Sequence, residues 1–317
     1  MSFTRENFTL SVIVPCYNEQ AVIGMTYDRL IAVLEANDYR YEVLFIDDGS
    51  RDATVQILEE KSKENERVHI LSFSRNFGHQ PAVSAGLNEC TGDLAIIIDA
   101  DLQDPPELFP DILKTYFDSN CNVVYCVRQN REGVGFFKKM GYHFFYRLVN
   151  MMSDVELPLD SGDFRLMDRD VIDAYKKFGE KNKYVRGIIA WMGFSQVPFY
   201  YNRPGRAEGE TKYSIKKLIG LASTGMFYFS KKPLKLAITL GITALSIGLL
   251  LAVKVFYEKF TGGLNEVPGW ASTILTMILF GGVQLITIGV LGEYLGNIFD
   301  EVRNRPEYII RKKNKQN

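Results

Sequence analysis

Residues 41–50, YEVLFIDDGS, set four consecutive apolar residues directly before two aspartates, a glycine and a serine. An apolar run without alternation reads as a strand covered on both faces, and DDGS reads as the turn that ends it. The pattern recurs on either side. LSVIVPCYN (10–18), VHILSFS (68–74) and DLAIIIDAD (93–101) are three more apolar runs that stop at polar residues. Helical segments lie between them: AVIGMTYDRLIAVLEAN (21–37), DATVQILEEKSKEN (52–65), with Asp52 placed to cap it, and PAVSAGLNEC (81–90). This β-α-β-α order predicts an α/β domain around a mainly parallel sheet.

Ligands of such sheets bind beyond the carboxyl ends of the strands. There the sequence gathers Asn18, Glu19, Asp47, Asp48, Arg75, Asn76, Asp99 and Asp101. Single aspartates open turns and cap helices, but carboxylates at three of four strand ends build an acidic crevice. Clustered carboxylates recruit a divalent cation, and a hard cation recruits phosphate oxygens, so a nucleotide diphosphate fits. No G-x-G-x-x-G follows the first strand and no G-x-x-x-x-G-K-[ST] occurs, which excludes a dinucleotide fold and a P-loop at motif level.

Two uncharged apolar runs stand apart from this domain: LAITLGITALSIGLLLAV (236–253) and ASTILTMILFGGVQLITIGVLG (271–292). Each reaches the roughly 18 residues needed to cross a bilayer as a helix, and two such helices with a tight turn form a hairpin. Lys231, Lys232 and Lys235 precede the first run, and Arg303, Arg305, Arg311, Lys312, Lys313 and Lys315 follow the second. The loop between holds only Lys254 and Lys259, against Glu258 and Glu266, so both termini are expected in the cytoplasm. The formal net charge of −1 offers no nucleic-acid-binding stripe. Cys16, Cys90, Cys121 and Cys126 lack ligand or redox spacing and read as reduced cytosolic thiols, and the N-terminal apolar run is too short for a signal peptide.

PCYNE (15–19), IDDGSRD (46–52) and DADLQDPP (99–106) resemble the nucleotide-sugar signatures of family 2 glycosyltransferases with the GT-A fold. FSRNFGHQPAVSAGL (73–87), DSGDFRLMDR (160–169), RPGRAEGETKY (203–213) and the apolar pair narrow the resemblance to the polyprenyl-phosphate glycosyltransferases. That group includes the bactoprenol glucosyltransferases and dolichol-phosphate mannose synthase. The resemblance implies a GT-A, Rossmann-like catalytic domain over 1–213 and a juxtamembrane amphipathic helix over 214–232. Two transmembrane helices follow within 233–298 (about 236–256 and 271–292), then a basic tail over 299–317. It implies transfer of one sugar, glucose favoured, from a UDP-sugar to undecaprenyl phosphate at the inner membrane. The partners are then the donor, the lipid and the membrane, and a homo-oligomer is compatible.

The same resemblance assigns residues. Asp99, Asp101 and Gln103 would hold Mg2+ or Mn2+, facing one ion if the strand stays extended. Pro15, Tyr17, Asn18, Glu19, Asp47 and Asp48 would form the nucleoside pocket, with Arg75 and Asn76 reaching base or phosphates. Asp163 lies in the acceptor-side motif, either as a base or as a group orienting the sugar. Arg203, Arg206, Lys212 and Tyr213 would bind phosphate from a Gly-rich loop, with Arg206 on the leaving diphosphate. Asp104 is left to capping. His79 reads as lining a helix start, having no partner ligand near it in sequence. Residues 133–152 and 214–232 read as basic amphipathic stretches at the lipid surface. Other readings stay open: a processive polysaccharide synthase, which usually has more spans and a Q-x-x-R-W motif, against RGIIAW (186–191) here, and a non-catalytic nucleotide-sugar-binding scaffold.

Overall fold

A computed structural model describes residues 4–63, 65–128, 161–181, 183–202, 232–261 and 269–314. The chain divides into two compact units, one of residues 1–143, 156–212 and 305–317, the other of 144–155 and 213–304. The first unit carries β1 (Thr9–Cys16), α1 (Ile23–Ala36), β2 (Arg40–Asp47), α2 (Thr54–Ser62), β3 (Val68–Phe73), α3 (His79–Glu89) and β4 (Leu94–Ile97). It continues with α4 (Phe109–Ser119), β5 (Val123–Arg128), β6 (Ser161–Asp168), α5 (Arg169–Lys176), α6 (Val185–Trp191), β7 (Gln196–Tyr201) and β8 (Ile310–Lys313). The second holds α7 (Lys232–Phe260) and α8 (Trp270–Arg303).

All the named strands join one sheet in the order β7-β5-β6-β4-β1-β2-β3-β8. The four early strands are parallel as expected: β1 pairs with β2 from Thr9↔Arg40 to Cys16↔Asp47 and with β4 from Leu10↔Leu94 to Ile13↔Ile97, and β2 pairs with β3. The later strands mix directions. β6 runs antiparallel to β4 and β5, β7 runs parallel to β5, and β8 runs antiparallel to β3. Strand order reverses between β1 and β4, and that switch point opens a crevice at their carboxyl ends.

Both faces of the sheet are covered, as its unbroken apolar strands require. Leu10, Val12, Val14 and Cys16 of β1 pack with Ile23, Tyr27, Leu30 and Leu34 of α1 and with Phe109, Ile112 and Tyr116 of α4. On the other face Ile13 meets α3 so closely that a Cβ at Gly86 would lie 2.2 Å from its Cγ2. That contact fixes the height of α3, whose first turn reaches the crevice.

The structure departs from the expected layout in three places. Residues 310–313 are an edge strand, so the basic tail is part of the sheet. α8 continues well past Gly292 to Arg303, where Asn304 ends it with φ 49°. Asp52 sits one residue outside the helix cap at Ala53 and accepts from the Thr54 amide at 3.0 Å. The expected amphipathic stretches at 133–152 and 214–232 lie outside the described residues, except for Lys232, which opens α7. α7 and α8 are long and apolar enough to cross a membrane, and their large side chains face outward, Leu245 being 69% and Leu285 72% exposed.

Candidate active site at the sheet switch point

Side chains lace together the loops that leave β1 and β2. The Asn18 amide N–H donates to Ser50 Oγ at 2.9 Å, and Asn18 Oδ1 accepts from the Arg51 N–H at 2.9 Å. Glu19 N–H donates to Thr54 Oγ1 at 2.8 Å, and Asn18 takes φ 53°, a conformation asparagine tolerates. Tyr17 is 40% exposed above this lacing, whereas Pro15 is buried within β1 opposite Ile46.

Asp47 and Asp48 are buried, and both brace backbone. Asp47 Oδ1 accepts from Ser50 N–H at 3.0 Å, the turn role its sequence allowed. Asp48 reaches the third loop: its two oxygens accept from Phe77 N–H at 2.6 Å and Gly78 N–H at 2.9 Å. Burial pushes the Asp48 carboxyl up although both amides pull it down. Arg75 and Asn76 are exposed in that loop, with the Arg75 guanidinium 4.2 Å from the Phe77 ring centre. Gly49, at φ 73°, lets the second and third loops touch, since a Cβ there would lie 2.4 Å from the Arg75 carbonyl carbon.

The expected extension through Asp99, Asp101 and Gln103 does not form. β4 ends at Ile97, the chain turns at Ala100 and Asp101, and Leu102 takes φ 60°. Asp101 Oδ1 accepts from its own turn, at 3.1 Å from Gln103 N. Gln103 is buried and Asp104 more so. The Asp104 carboxylate takes the Tyr201 hydroxyl and stands 3.4 Å from Arg128 Nη2. Asp99 remains at the crevice with its carboxyl pushed up to about 6, first by burial, then by the charges of Asp163, Asp104 and Asp101, against the pull of His79.

His79 is not alone. At the first turn of α3, its Nε2 lies 2.9 Å from Asp163 Oδ2 and 3.8 Å from Asp99 Oδ1. Burial pulls the imidazolium down, but the Asp163 hydrogen bond and the two carboxylates outweigh it and raise the pKa to about 9. Asp163 comes from β6, the segment the sequence marked only by its motif. Gln80 Nε2 donates to its Oδ2 at 3.2 Å, and Arg186 Nε of α6 stands 3.1 Å from its Oδ1. Burial would raise the Asp163 carboxyl, but His79, Arg186 and Arg165 hold it well below the usual carboxylate range. Arg165 is itself buried and pulled down to about 10 by that burial, with its Nη2 donating to Gly162 O at 3.0 Å.

The crevice therefore joins Asp99 to Asp163 through His79 and adds Gln80 and Arg186, which sequence reasoning missed. Arg203, Arg206, Lys212 and Tyr213 lie outside the described residues. Among the described residues no three His, Cys, Asp or Glu side chains converge as a ligand set. The donors nonetheless fit a divalent cation. Asp99 and Asp101 offer hard carboxylate oxygens at the crevice, the donor chemistry a divalent cation takes. Such an ion would draw its remaining ligands from water and a diphosphate.

Residues 11–176 match the model of glycosyl transferase family 2. This chain is a family 2 glycosyltransferase. It is 47% identical over 303 residues to an uncharacterized glycosyltransferase of Bacillus subtilis (strain 168), YkcC, covering 95% of this chain and 93% of that protein. It is 38% identical over 308 residues to the SfII prophage-derived bactoprenol glucosyl transferase of Shigella flexneri, covering 97% and 99%. Among solved structures it is similar to the mannosyltransferase PcManGT from Pyrobaculum calidifontis, in complex with GDP-Man and Mn2+. There the identity is 17%, the TM-score 0.46, and the coverage 92% of this chain and 88% of that one. That likeness is too weak to bear on substrate or mechanism. The family 2 glycosyltransferase thus has a GT-A catalytic unit whose crevice lies at its strand switch point.

Proposed function

We propose that this glycosyltransferase moves one sugar, glucose before others, from a UDP-sugar to undecaprenyl phosphate. The reaction inverts the anomeric centre and takes place at the cytoplasmic face of the inner membrane. The observation that carries this reading is the match to a bactoprenol glucosyl transferase, which spans the catalytic unit and the apolar helix pair alike. Chain order supports the membrane side. The helix pair lies between β7 and β8 of one sheet, so a chain that leaves through α7 must return through α8. The lysines and arginines at both flanks favour the cytoplasm for that side.

An acceptor phosphate oxygen bonds to the anomeric carbon as the bond to the β-phosphate oxygen breaks, and UDP leaves. A lipid phosphate, with a second pKa near 6 by analogy with phosphoserine, is mostly dianionic at pH 7 and needs no base. Asp163 is then an orienting anion, held ionised by His79 and Arg186. Asp99 and Asp101 would hold Mg2+ or Mn2+, which when bound neutralises charge on the leaving diphosphate. Tyr17, Asn18, Glu19, Asp47, Asp48, Arg75 and Asn76 frame the nucleoside side. Arg203, Lys212 and Tyr213 are assigned to the acceptor phosphate, and Arg206 to both phosphates.

Protein in vesicles containing undecaprenyl phosphate, given a panel of radiolabelled nucleotide sugars, should label the lipid with one glucose from UDP-glucose. A ladder of longer products would assign a processive synthase instead. UDP binding without any lipid-dependent UDP release would assign a scaffold. Gly49→Ala tests the nucleoside side: the strain should cost about 1–3 kcal/mol of stability and raise donor KM more than it lowers kcat. Thermal melting and initial rates check both.

A further inference from the structure

Residues 305–314 follow α8 and rejoin the catalytic unit, ending in β8. Two of their side chains turn inward. Glu307 Oε2 accepts from Ser84 Oγ at 2.9 Å and stands 3.8 Å from Lys183 Nζ, and the Glu307 and Lys183 side chains are only 10% and 8% exposed. Burial pushes the Glu307 carboxyl up to about 7, with Lys183 and Ser84 pulling the other way. The Tyr308 ring stacks on Phe73 with centroids 5.0 Å apart and planes 8° apart, and its hydroxyl accepts from Asn88 Nδ2 at 3.1 Å.

These contacts fall in a row on α3. Gln80, Ser84 and Asn88 recur at four-residue spacing and share one helix face. Gln80 donates to Asp163 and accepts from Val185 N–H at 2.9 Å. Lys183 lies two residues before Val185 and three before Arg186, the cation beside Asp163. On the other side Phe73 meets Phe77 edge-on at 5.8 Å, and the Phe77 amide is held by Asp48.

We propose that Glu307 and Tyr308 are positioning residues of the active site. Glu307, through Ser84 and Lys183, holds Gln80 and Arg186 on Asp163. Tyr308, through Phe73, holds the Phe77–Gly78 turn on Asp48. Neither touches a reacting atom. The strap after α8 thus braces the acceptor side with one residue and the nucleoside side with the next. The assignment of sides rests on the reading of Asp163 and Asp48 given under the proposed function.

The two residues should therefore fail differently. In full-length protein in undecaprenyl-phosphate vesicles, Glu307→Gln leaves the buried Lys183 ammonium without its charge partner. It should lower kcat about tenfold through displaced groups, with UDP affinity by calorimetry unchanged. Lys183→Met should match it, and the double variant should fall no further, because the pair acts as one unit. The double variant leaves neither charge unpaired, so it carries the test if a single variant fails to fold. Tyr308→Leu should instead weaken UDP binding about fivefold, the scale of a lost ring contact, with kcat retained. Parallel losses of kcat and UDP affinity that track melting temperature would overturn the proposal, as would unchanged kinetics in all variants. Asp163→Asn, assayed alongside, separates the failures. If it is inactive while the strap variants behave normally, only the strap proposal falls, and if it is fully active, the reading of the site falls with it.

Discussion

Asp163→Asn is expected to cut turnover by roughly 10²–10⁴-fold, the range for losing a placed acid–base or orienting group, while donor affinity holds. Asparagine keeps the shape and an acceptor for Gln80 but removes the carboxylate charge that stands against His79 and Arg186, while Asp99 stays 3.8 Å from His79. The pH dependence separates the two roles. A carboxyl held well below its usual range is ionised throughout the working pH and takes up protons poorly, so it makes a weak base. The pH–rate profile of Asp163→Asn under saturating lipid should then run parallel to that of the unaltered enzyme above the phosphate's own pKa near 6. Rescue that keeps growing well above pH 7 would mark a general base. Activity near the original would remove Asp163 from the site.

Chelating divalent cations should abolish transfer, and Asp101→Asn should lower it by roughly 10²–10³-fold, the scale of one well-placed electrostatic contact at a developing charge. Asparagine can still accept the Gln103 amide, so the turn at Leu102 should survive and melting should change little. Restoring Mg2+ and Mn2+ separately, with rates read for each, tells which ion serves. Full transfer in chelator would refute the assigned metal site.

The parallel half of the sheet was legible because its strands are buried on both faces and read as unbroken apolar runs. β6 and β8 were not. SGDFRLMD mixes charges into a buried strand, where Asp163 meets His79 and Arg186 and Arg165 donates to Gly162 O, and IRKK is an edge strand whose lysines reach Glu59 and Glu89 rather than a core. The strand-end carboxylates named the crevice, but not what each one does. Asp48 spends both oxygens on amides 29 and 30 residues away, and Asp104 is buried by Tyr201, 97 residues away. His79 looked solitary because its nearest partner lies 84 residues along the chain. Only the crossing of α3 over the switch point brings them together. The straight line expected through Asp99, Asp101 and Gln103 failed because the chain turns at Ala100 and Asp101 and Leu102 takes a positive φ that no composition rule foretells.

The place of β8 in the sheet has a consequence for how the molecule is made. β3 stays an open edge, with Leu71, Ser72 and Phe73 lacking their β8 partners, until the ribosome has released both apolar helices. An exposed edge of this kind invites pairing with another chain. With the helix pair in a bilayer, the last strand reaches β3 only when the second helix has come back to the side it started from. In that setting completion of the sheet would follow insertion, and a polypeptide cut off before α7 would keep the β3 edge without its β8 partner.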